Sequence, residues 1–219
     1  MKNTKTIYHF IIDQSGSMSG MEEQTIAGFN EQLKTLKELQ IEYPDQKYLI
    51  SLTLFDSQVN RIINNGNVGQ LEDLNPGFYR PNGSTALLDA IGKAIYDIKT
   101  DFGQQINNNE ASVVVVILTD GYENASRLYS YHDVAYLIKQ LDETGKWTFS
   151  FLGADFDAIH TSQMLNIRRE NVMNFDKSDY MNMMNDVSAS IRNYASEKSS
   201  GNLKRDIFDI FRDKERRKK

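Results

Sequence analysis

The run from Ser112 to Leu118 constrains the fold of this chain more than any other segment. After its serine it contains four valines, an isoleucine and a leucine in succession. A strand that is apolar on both faces is typical of the interior of a parallel sheet, where helices cover both sides. The segment Ile7–Ile12 is a second, largely apolar run. We therefore expect two central strands of an α/β sheet.

Strand-like segments alternate with amphipathic segments along most of the chain. Besides the two central strands, we predict strands at 48–55, 58–63, 147–152 and 172–175, and helices at 20–41, 86–102, 130–141, 156–165 and 180–194. This alternation predicts βαβ units with right-handed crossovers. We expect one doubly wound α/β domain, residues 1–196, with a mostly parallel six-stranded sheet and helices on both faces.

Bulk properties exclude several functional classes. The net charge of −5 gives no general signature of nucleic-acid binding. The absence of cysteine excludes disulfides and thiolate metal sites, and it fits a reducing compartment. No segment has the length of a membrane span or the pattern of a signal peptide. We predict a cytoplasmic protein, and the high asparagine content and simple layout favour a bacterial or phage source.

The last part of the chain differs from the rest. We predict that residues 197–219 form a polar linker, followed by a short amphipathic basic helix or tail. Ile207, Phe208, Ile210 and Phe211 lie at helical spacing, and Arg212 to Lys219 contains six basic and two acidic residues. Such an end is usually a solvated tail, but it also fits docking on a protein partner, an anionic membrane or nucleic acid.

Five oxygen-bearing side chains follow predicted strands or open a predicted helix. Asp13, Ser15 and Ser17 come directly after the first strand, Asp120 follows the valine-rich strand, and Thr85 lies in a glycine turn before a helix. Because parallel strands end at the same edge of a sheet, these loops should converge there. Oxygen donors suit hard cations, so the pattern predicts a site for Mg²⁺, with Mn²⁺ or Ca²⁺ as alternatives.

Other interpretations of these residues stay open at this point. Asp13 is also a common residue in an ordinary turn, and Ser15, Ser17 and Thr85 are good helix N-caps. Ser84 is an alternative ligand to Thr85.

Several neighbouring segments are expected near the same edge. Tyr122, Glu123 and Asn124 should line its rim. Phe78, Tyr79 and Arg80 either face a partner or pack their loop against the domain. Asp155 and Asp157 are either turn residues or part of a second ion site.

The motifs Asp13-Gln14-Ser15-Gly16-Ser17, Thr85 and Asp120-Gly121 together resemble the metal-ion-dependent adhesion site (MIDAS) of von Willebrand factor A domains. The resemblance covers most of residues 5–195. It implies that the two serines and the threonine coordinate the metal and that the two aspartates bind it directly or through water. It also implies a sheet order of 3-2-1-4-5-6, with 58–63 as a short antiparallel edge strand.

Two functional hypotheses follow. The first is a binding module, in which an acidic residue of a partner protein completes the coordination of the bound ion. The second is a Mg²⁺-dependent phosphohydrolase or phosphotransferase that uses the same strand-end site. Enzymes of the haloacid dehalogenase type need an aspartate two residues after the first one, and this chain has Ser15 there. A scaffold that uses the fold without metal is a third, weaker hypothesis, and no catalytic residue is predicted.

Overall fold

The computed structural model describes residues 4–154, 158–202 and 206–207. Six strands run through the domain: β1 (Lys5–Asp13), β2 (Lys47–Phe55), β3 (Val59–Asn67), β4 (Ala111–Thr119), β5 (Trp147–Ala154) and β6 (Val172–Phe175). Five α-helices alternate with them: α1 (Glu22–Glu42), α2 (Leu87–Asn107), α3 (Tyr131–Glu143), α4 (Ala158–Met164) and α5 (Tyr180–Ser199).

The strands form a single sheet in the order β3-β2-β1-β4-β5-β6. Only the β2–β3 pair is antiparallel, and the other four pairs are parallel. The predicted order and the antiparallel edge strand are both confirmed. With this topology, the carboxyl ends of all the parallel strands lie at one edge of the sheet, as the location of the predicted site requires.

The two central strands are buried on both faces, as their composition predicts. Successive side chains of a strand point to opposite faces. Accordingly, Phe10 of β1 and Val116 of β4 pack in one core with residues of α1 and α5. Ile11 and Ile117 pack in a second core on the other face, with residues of α2 and α3. Helices therefore cover both sides of the sheet.

Three elements extend four or five residues beyond their predicted carboxyl-terminal ends. Strand β3 continues to Asn67, with bulges in its pairing to β2. Helix α2 continues past Gly103 to Asn107, because Ile106 extends the buried stripe by one more turn. Helix α5 continues to Ser199, so the first residues of the predicted polar linker are helical.

Lys198 explains why helix α5 continues. Its side chain is buried, and the ammonium donates to Lys5 O at 2.7 Å, Thr6 Oγ1 at 2.6 Å and Ser112 Oγ at 2.9 Å. The end of α5 is thereby attached to the amino-terminal ends of β1 and β4. A residue that resembled part of a solvated linker is thus an anchor of the last helix.

Beyond Asn202, the structure describes only residues 206 and 207. Ile207 is buried, and its amide donates to Asn171 Oδ1 at 2.8 Å. The other residues of the predicted amphipathic stripe and the basic end lie outside the described residues, as do Asp155 and Asp157. Division of the chain into residues 1–196 and 197–219 stays a prediction. Within the described ranges, no helix combines the length and apolarity needed to cross a membrane.

Candidate metal centre

Asp13 ends the central strand and is fully buried at its tip. Thr119, the last residue of β4, donates to Asp13 Oδ2 at 2.6 Å, and the Ser15 amide donates to Asp13 Oδ1 at 2.7 Å. Burial raises the pKa of the Asp13 carboxyl, and the hydrogen bonds from Thr119 and Ser15 act in the opposite direction. The end of β4 and the loop after β1 therefore together set the position and orientation of this carboxylate.

The two serines and Asp120 form a continuous row of oxygens. Ser15 Oγ lies 3.1 Å from Ser17 Oγ, and Ser17 Oγ donates to Asp120 Oδ1 at 2.6 Å. Ser15 lies just before a 3-10 turn, Gly16–Met18, and neither this turn nor α1 has a side-chain hydrogen bond at its N-cap. The serines are therefore not used as helix caps, and they join the tips of β1 and β4.

Thr85 lies beside this row. A Cβ on Gly121 would be 3.6 Å from Thr85 Oγ1 and 3.7 Å from Ser17 Oγ, so both hydroxyls adjoin the same glycine. Thr85 is buried, whereas Ser84 is exposed and its amide donates to Ser57 Oγ. The structure thus places Thr85 near Ser17, a member of the oxygen row.

Thr85 is not required as a helix cap because a neighbouring loop supplies the cap. The N-cap residue of α2 is Ala86, which has no side-chain hydrogen bond. Glu123 instead accepts from the Leu88 amide at 3.0 Å, and Ser126 Oγ accepts from the Asp89 amide at 3.0 Å. A carboxylate at a helix N-terminus is favourable because it faces unpaired amides and the positive end of the helix dipole.

Backbone hydrogen bonds hold the first two loops together. The Gly16 amide donates to Gly83 O at 3.1 Å, and the Asn82 amide donates to Gln14 O at 2.8 Å. Gly83 adopts a positive φ of 71°, which a residue with a Cβ rarely does. The chain can therefore turn here without strain before it enters α2.

Asn124 joins the second loop to the third. The Thr85 amide donates to Asn124 Oδ1 at 2.8 Å, and the Asn124 amide donates to Thr85 O at 3.1 Å. The three loops that carry the predicted ligands thus form one hydrogen-bonded unit.

Asp89 and Glu123 hold the loop that follows Asp120. Asp89 Oδ1 accepts from the amides of Leu128 and Tyr129, and Oδ2 accepts from the amide of Arg127, all at 2.9 Å. Glu123 accepts from the amides at 125 and 126 as well as from α2. The sequence motif placed Glu123 on the rim, but its carboxylate is directed into its own loop.

The residues of the preceding loop separate into exposed and buried ones. Phe78 is 58% exposed, whereas Tyr79 is buried and its hydroxyl donates to Asp13 O. Burial raises the pKa of the Tyr79 hydroxyl. Tyr79 therefore packs its loop against the site, and Phe78 is the residue available for contacts. Tyr122 is also exposed, at 55%.

Lys177 is a residue of this site that sequence reasoning missed. Its ammonium lies 2.6 Å from Asp120 Oδ2 and donates to Ser17 O at 3.1 Å. It belongs to a 3-10 turn, Lys177–Asp179, directly after β6. Since β6 is parallel to β5, the strand-tip reasoning that found Asp13 and Asp120 also applies to this turn.

The donor set can hold a divalent cation. Two carboxylates and three hydroxyls supply only oxygen, the ligand type of Mg²⁺, Mn²⁺ and Ca²⁺. Asp120 already has a cation beside it, the Lys177 ammonium, which shows that this edge accommodates positive charge. Among the residues that the structure describes, no group of three or more His, Cys, Asp or Glu side chains is placed to hold a metal ion.

Fold and site together define the class of this protein: a doubly wound α/β domain with an oxygen-lined site at the carboxyl edge of its sheet. The family model of the von Willebrand factor type A domain matches residues 9–195, and the chain belongs to that family. A comparison with curated proteins finds no significant match.

Solved structures show the same fold. A von Willebrand factor type A protein from Catenulispora acidiphila is 17% identical, with a TM-score of 0.56 over 85% of this chain and 42% of that one. Manganese-loaded TRAP protein from Plasmodium vivax is 16% identical, with a TM-score of 0.55 over 82% of this chain and 71% of that one.

A third structure is proximal thread matrix protein 1 from the mussel byssus, with a zinc-occupied MIDAS motif. It is 14% identical, with a TM-score of 0.53 over 85% of this chain and 45% of that one. This chain therefore spans less than half the length of the mussel and Catenulispora proteins.

Proposed function

We propose that this chain is a metal-dependent protein-binding module. A divalent cation would be held by Asp13, Ser15, Ser17, Thr85 and Asp120, and an acidic residue of a partner protein would complete its coordination. The observation that carries the proposal is the row of oxygens from Ser15 through Ser17 to Asp120. It joins two strand tips at the edge where open α/β sheets bind ligands.

The chemistry of the donor set favours Mg²⁺, with Mn²⁺ and Ca²⁺ as alternatives. Two carboxylates nearly neutralise a divalent ion, and Mg²⁺ prefers six oxygens and retains waters. Ser17 is exposed, so the site is open to solvent on one side. A carboxylate from another molecule is a suitable ligand there. The manganese-loaded TRAP protein and the mussel protein with a zinc-occupied MIDAS motif support a divalent ion as the bound metal.

The metal-binding part of the proposal is tested by thermal unfolding. A ligand at a hundred times its dissociation constant stabilises the folded state by about 2.7 kcal/mol if it does not bind the unfolded chain. We expect Mg²⁺ or Mn²⁺ to raise the thermal midpoint relative to EDTA, and Asp13→Ala, Asp120→Ala and Ser17→Ala to abolish the shift.

Ser19→Ala is the matched control for Ser17→Ala. Ser19 lies two residues further along the chain, and its hydroxyl donates to Gly16 O at 2.8 Å, within its own turn. A midpoint that none of Mg²⁺, Mn²⁺ and Ca²⁺ moves would contradict the assignment. So would a full response in Asp13→Ala and Asp120→Ala.

Partner binding is tested by capture from a host lysate with Mg²⁺ and with EDTA. We expect a protein that binds in Mg²⁺, is released by EDTA and is not retained by Ser17→Ala. Replacement of its contacting Asp or Glu by Ala should also abolish binding. Equal capture in EDTA would show that another surface of the domain is used.

The rival phosphohydrolase or phosphotransferase hypothesis needs an acid or base two residues after Asp13. Ser15 occupies that position and its hydroxyl lies in the oxygen row. Turnover of a phosphate ester with Mg²⁺ that Asp13→Asn abolishes would favour an enzyme. The cytoplasmic location, the bacterial or phage source and the role of the basic tail stay predictions from the sequence.

A further inference from the structure

Lys177 contacts the candidate metal centre from the turn between β6 and α5. Its ammonium lies 2.6 Å from Asp120 Oδ2 and donates to Ser17 O at 3.1 Å. The Asp120 side chain is fully buried, whereas that of Lys177 is 29% exposed. A flexible cation from outside the five-ligand set thus reaches one of its two carboxylates.

The contact with Asp120 is an ion pair without the alignment of a hydrogen bond. It supplies positive charge to an edge that contains two buried carboxylates, Asp13 and Asp120. A buried carboxylate without a counter-charge is strongly unfavourable, so the lysine stabilises the metal-free site. Because the pair is poorly aligned, a divalent ion with directed oxygen ligands can replace it.

The turn keeps the lysine close to the site. Asp176 Oδ1 accepts from the Ser178 amide at 2.8 Å and from Ser178 Oγ at 2.7 Å, which fixes the backbone on either side of Lys177. Helix α5 begins immediately afterwards, at Tyr180. The ammonium is therefore tethered within one side-chain length of Asp120.

We infer that Lys177 is a tethered cation that neutralises Asp120 when the metal is absent and competes with the divalent ion for it. The residue then sets the metal affinity of the centre without being a ligand. This inference rests on the proposed function, since it requires a divalent ion at the five oxygen donors.

The direct test is a Mn²⁺ titration in which electron paramagnetic resonance counts free Mn²⁺. We expect Lys177→Met to bind Mn²⁺ at least fivefold more tightly than the wild type, because the competing charge is gone, and Lys177→Arg to stay near the wild type. Lys93→Met is the matched control, since Lys93 pairs with Asp97 at 3.0 Å on helix α2. It should leave Mn²⁺ affinity unchanged.

A second measurement needs no metal. In EDTA, Lys177→Met should lower the thermal midpoint by several degrees, because Asp120 loses its counter-charge. In an Asp120→Asn background, where that charge is already removed, the same substitution should have little effect. This difference separates an electrostatic role from a loss of packing.

The outcomes distinguish this inference from the proposed function. If wild type binds Mn²⁺, Asp120→Asn does not, and Lys177→Met binds as the wild type does, the metal centre stands and the role of Lys177 is refuted. If Lys177→Met binds Mn²⁺ and wild type does not, competition is supported. No binding by either protein overturns both proposals.

Discussion

Asp89 should contribute strongly to stability, although it lies outside the predicted ligand set. Its carboxylate is buried at the start of α2 and accepts three backbone amides, those of Arg127, Leu128 and Tyr129, each at 2.9 Å. These bonds hold the loop that follows Asp120 against the helix. Removal of the charge by Asp89→Asn tests their contribution with almost no change in side-chain volume.

The magnitude follows from which oxygen each amide uses. Leu128 and Tyr129 both donate to Oδ1, which asparagine retains, whereas Arg127 donates to Oδ2, which becomes an NH₂ donor. A hydrogen bond to a charged group contributes about 2 kcal/mol, and a neutral acceptor weakens each of the other two by roughly 0.5 kcal/mol. We expect a loss of about 3 kcal/mol in the free energy of unfolding.

Urea denaturation of the wild type and the variant measures this loss, with unchanged m-values as the sign that only stability has changed. Glu38→Gln is the control: Glu38 lies on helix α1 and pairs with Arg192, and both side chains are more than 40% exposed. Surface ion pairs contribute about 0–1 kcal/mol. Equal losses in the two variants would refute the reasoning, as would unchanged hydrogen exchange at the three amides.

Three further predictions concern buried groups. Burial lowers the pKa of Lys198 to about 7 from 10.5, so the unfolded chain binds the extra proton between these values. As the pH rises through this window, the free energy of unfolding of the wild type should increase relative to Lys198→Met by up to about 1.4 kcal/mol per pH unit. Urea denaturation at several pH values measures this difference, and a constant difference would contradict the prediction. Burial also lowers the pKa of His9 to about 3 from 6.5, so acidification between these values should destabilise the fold, and the His9 ring signals in NMR should not titrate near pH 6. A Cβ on Gly28 would lie 2.8 Å from Met184 Cγ, so Gly28→Ala should lower the free energy of unfolding by about 1–3 kcal/mol. A Cβ on Gly103 would meet nothing within 4 Å, so Gly103→Ala should stabilise helix α2 and raise the free energy of unfolding by up to about 1 kcal/mol.

Sequence patterns predicted a mostly parallel sheet, and the resemblance to von Willebrand factor A domains supplied its strand order; both are confirmed, whereas the five ligands stay a prediction. β1 and β4 are largely apolar runs, and an aspartate lies at or directly after the end of each, so the positions of Asp13 and Asp120 could be inferred from the sequence alone. The parallel arrangement then placed both carboxylates at the same edge of the sheet. The register agrees, because Ile12 of β1 pairs with Leu118 of β4, one and two residues before the aspartates.

The residues that support the site could not be predicted in this way. The roles of Glu123 and Asn124 depend on the conformation of an irregular loop, in which no periodicity exists. Lys177 follows the predicted strand at 172–175, but a lysine after a strand tip does not by itself indicate a contact with a site built from oxygen ligands. Lys198 was assigned to a polar linker, because nothing local distinguishes a buried lysine from a solvated one.

The position of β1 in the centre of the sheet has a consequence for the order of synthesis. β1 is made first, and its neighbour β4 follows about 100 residues later. At about 5–20 residues per second, the ribosome needs roughly 5–20 s to make the intervening chain. During this time β1 can pair with β2, but its other edge stays open. An apolar strand with a free edge promotes aggregation, so the nascent chain is most vulnerable until β4 has emerged.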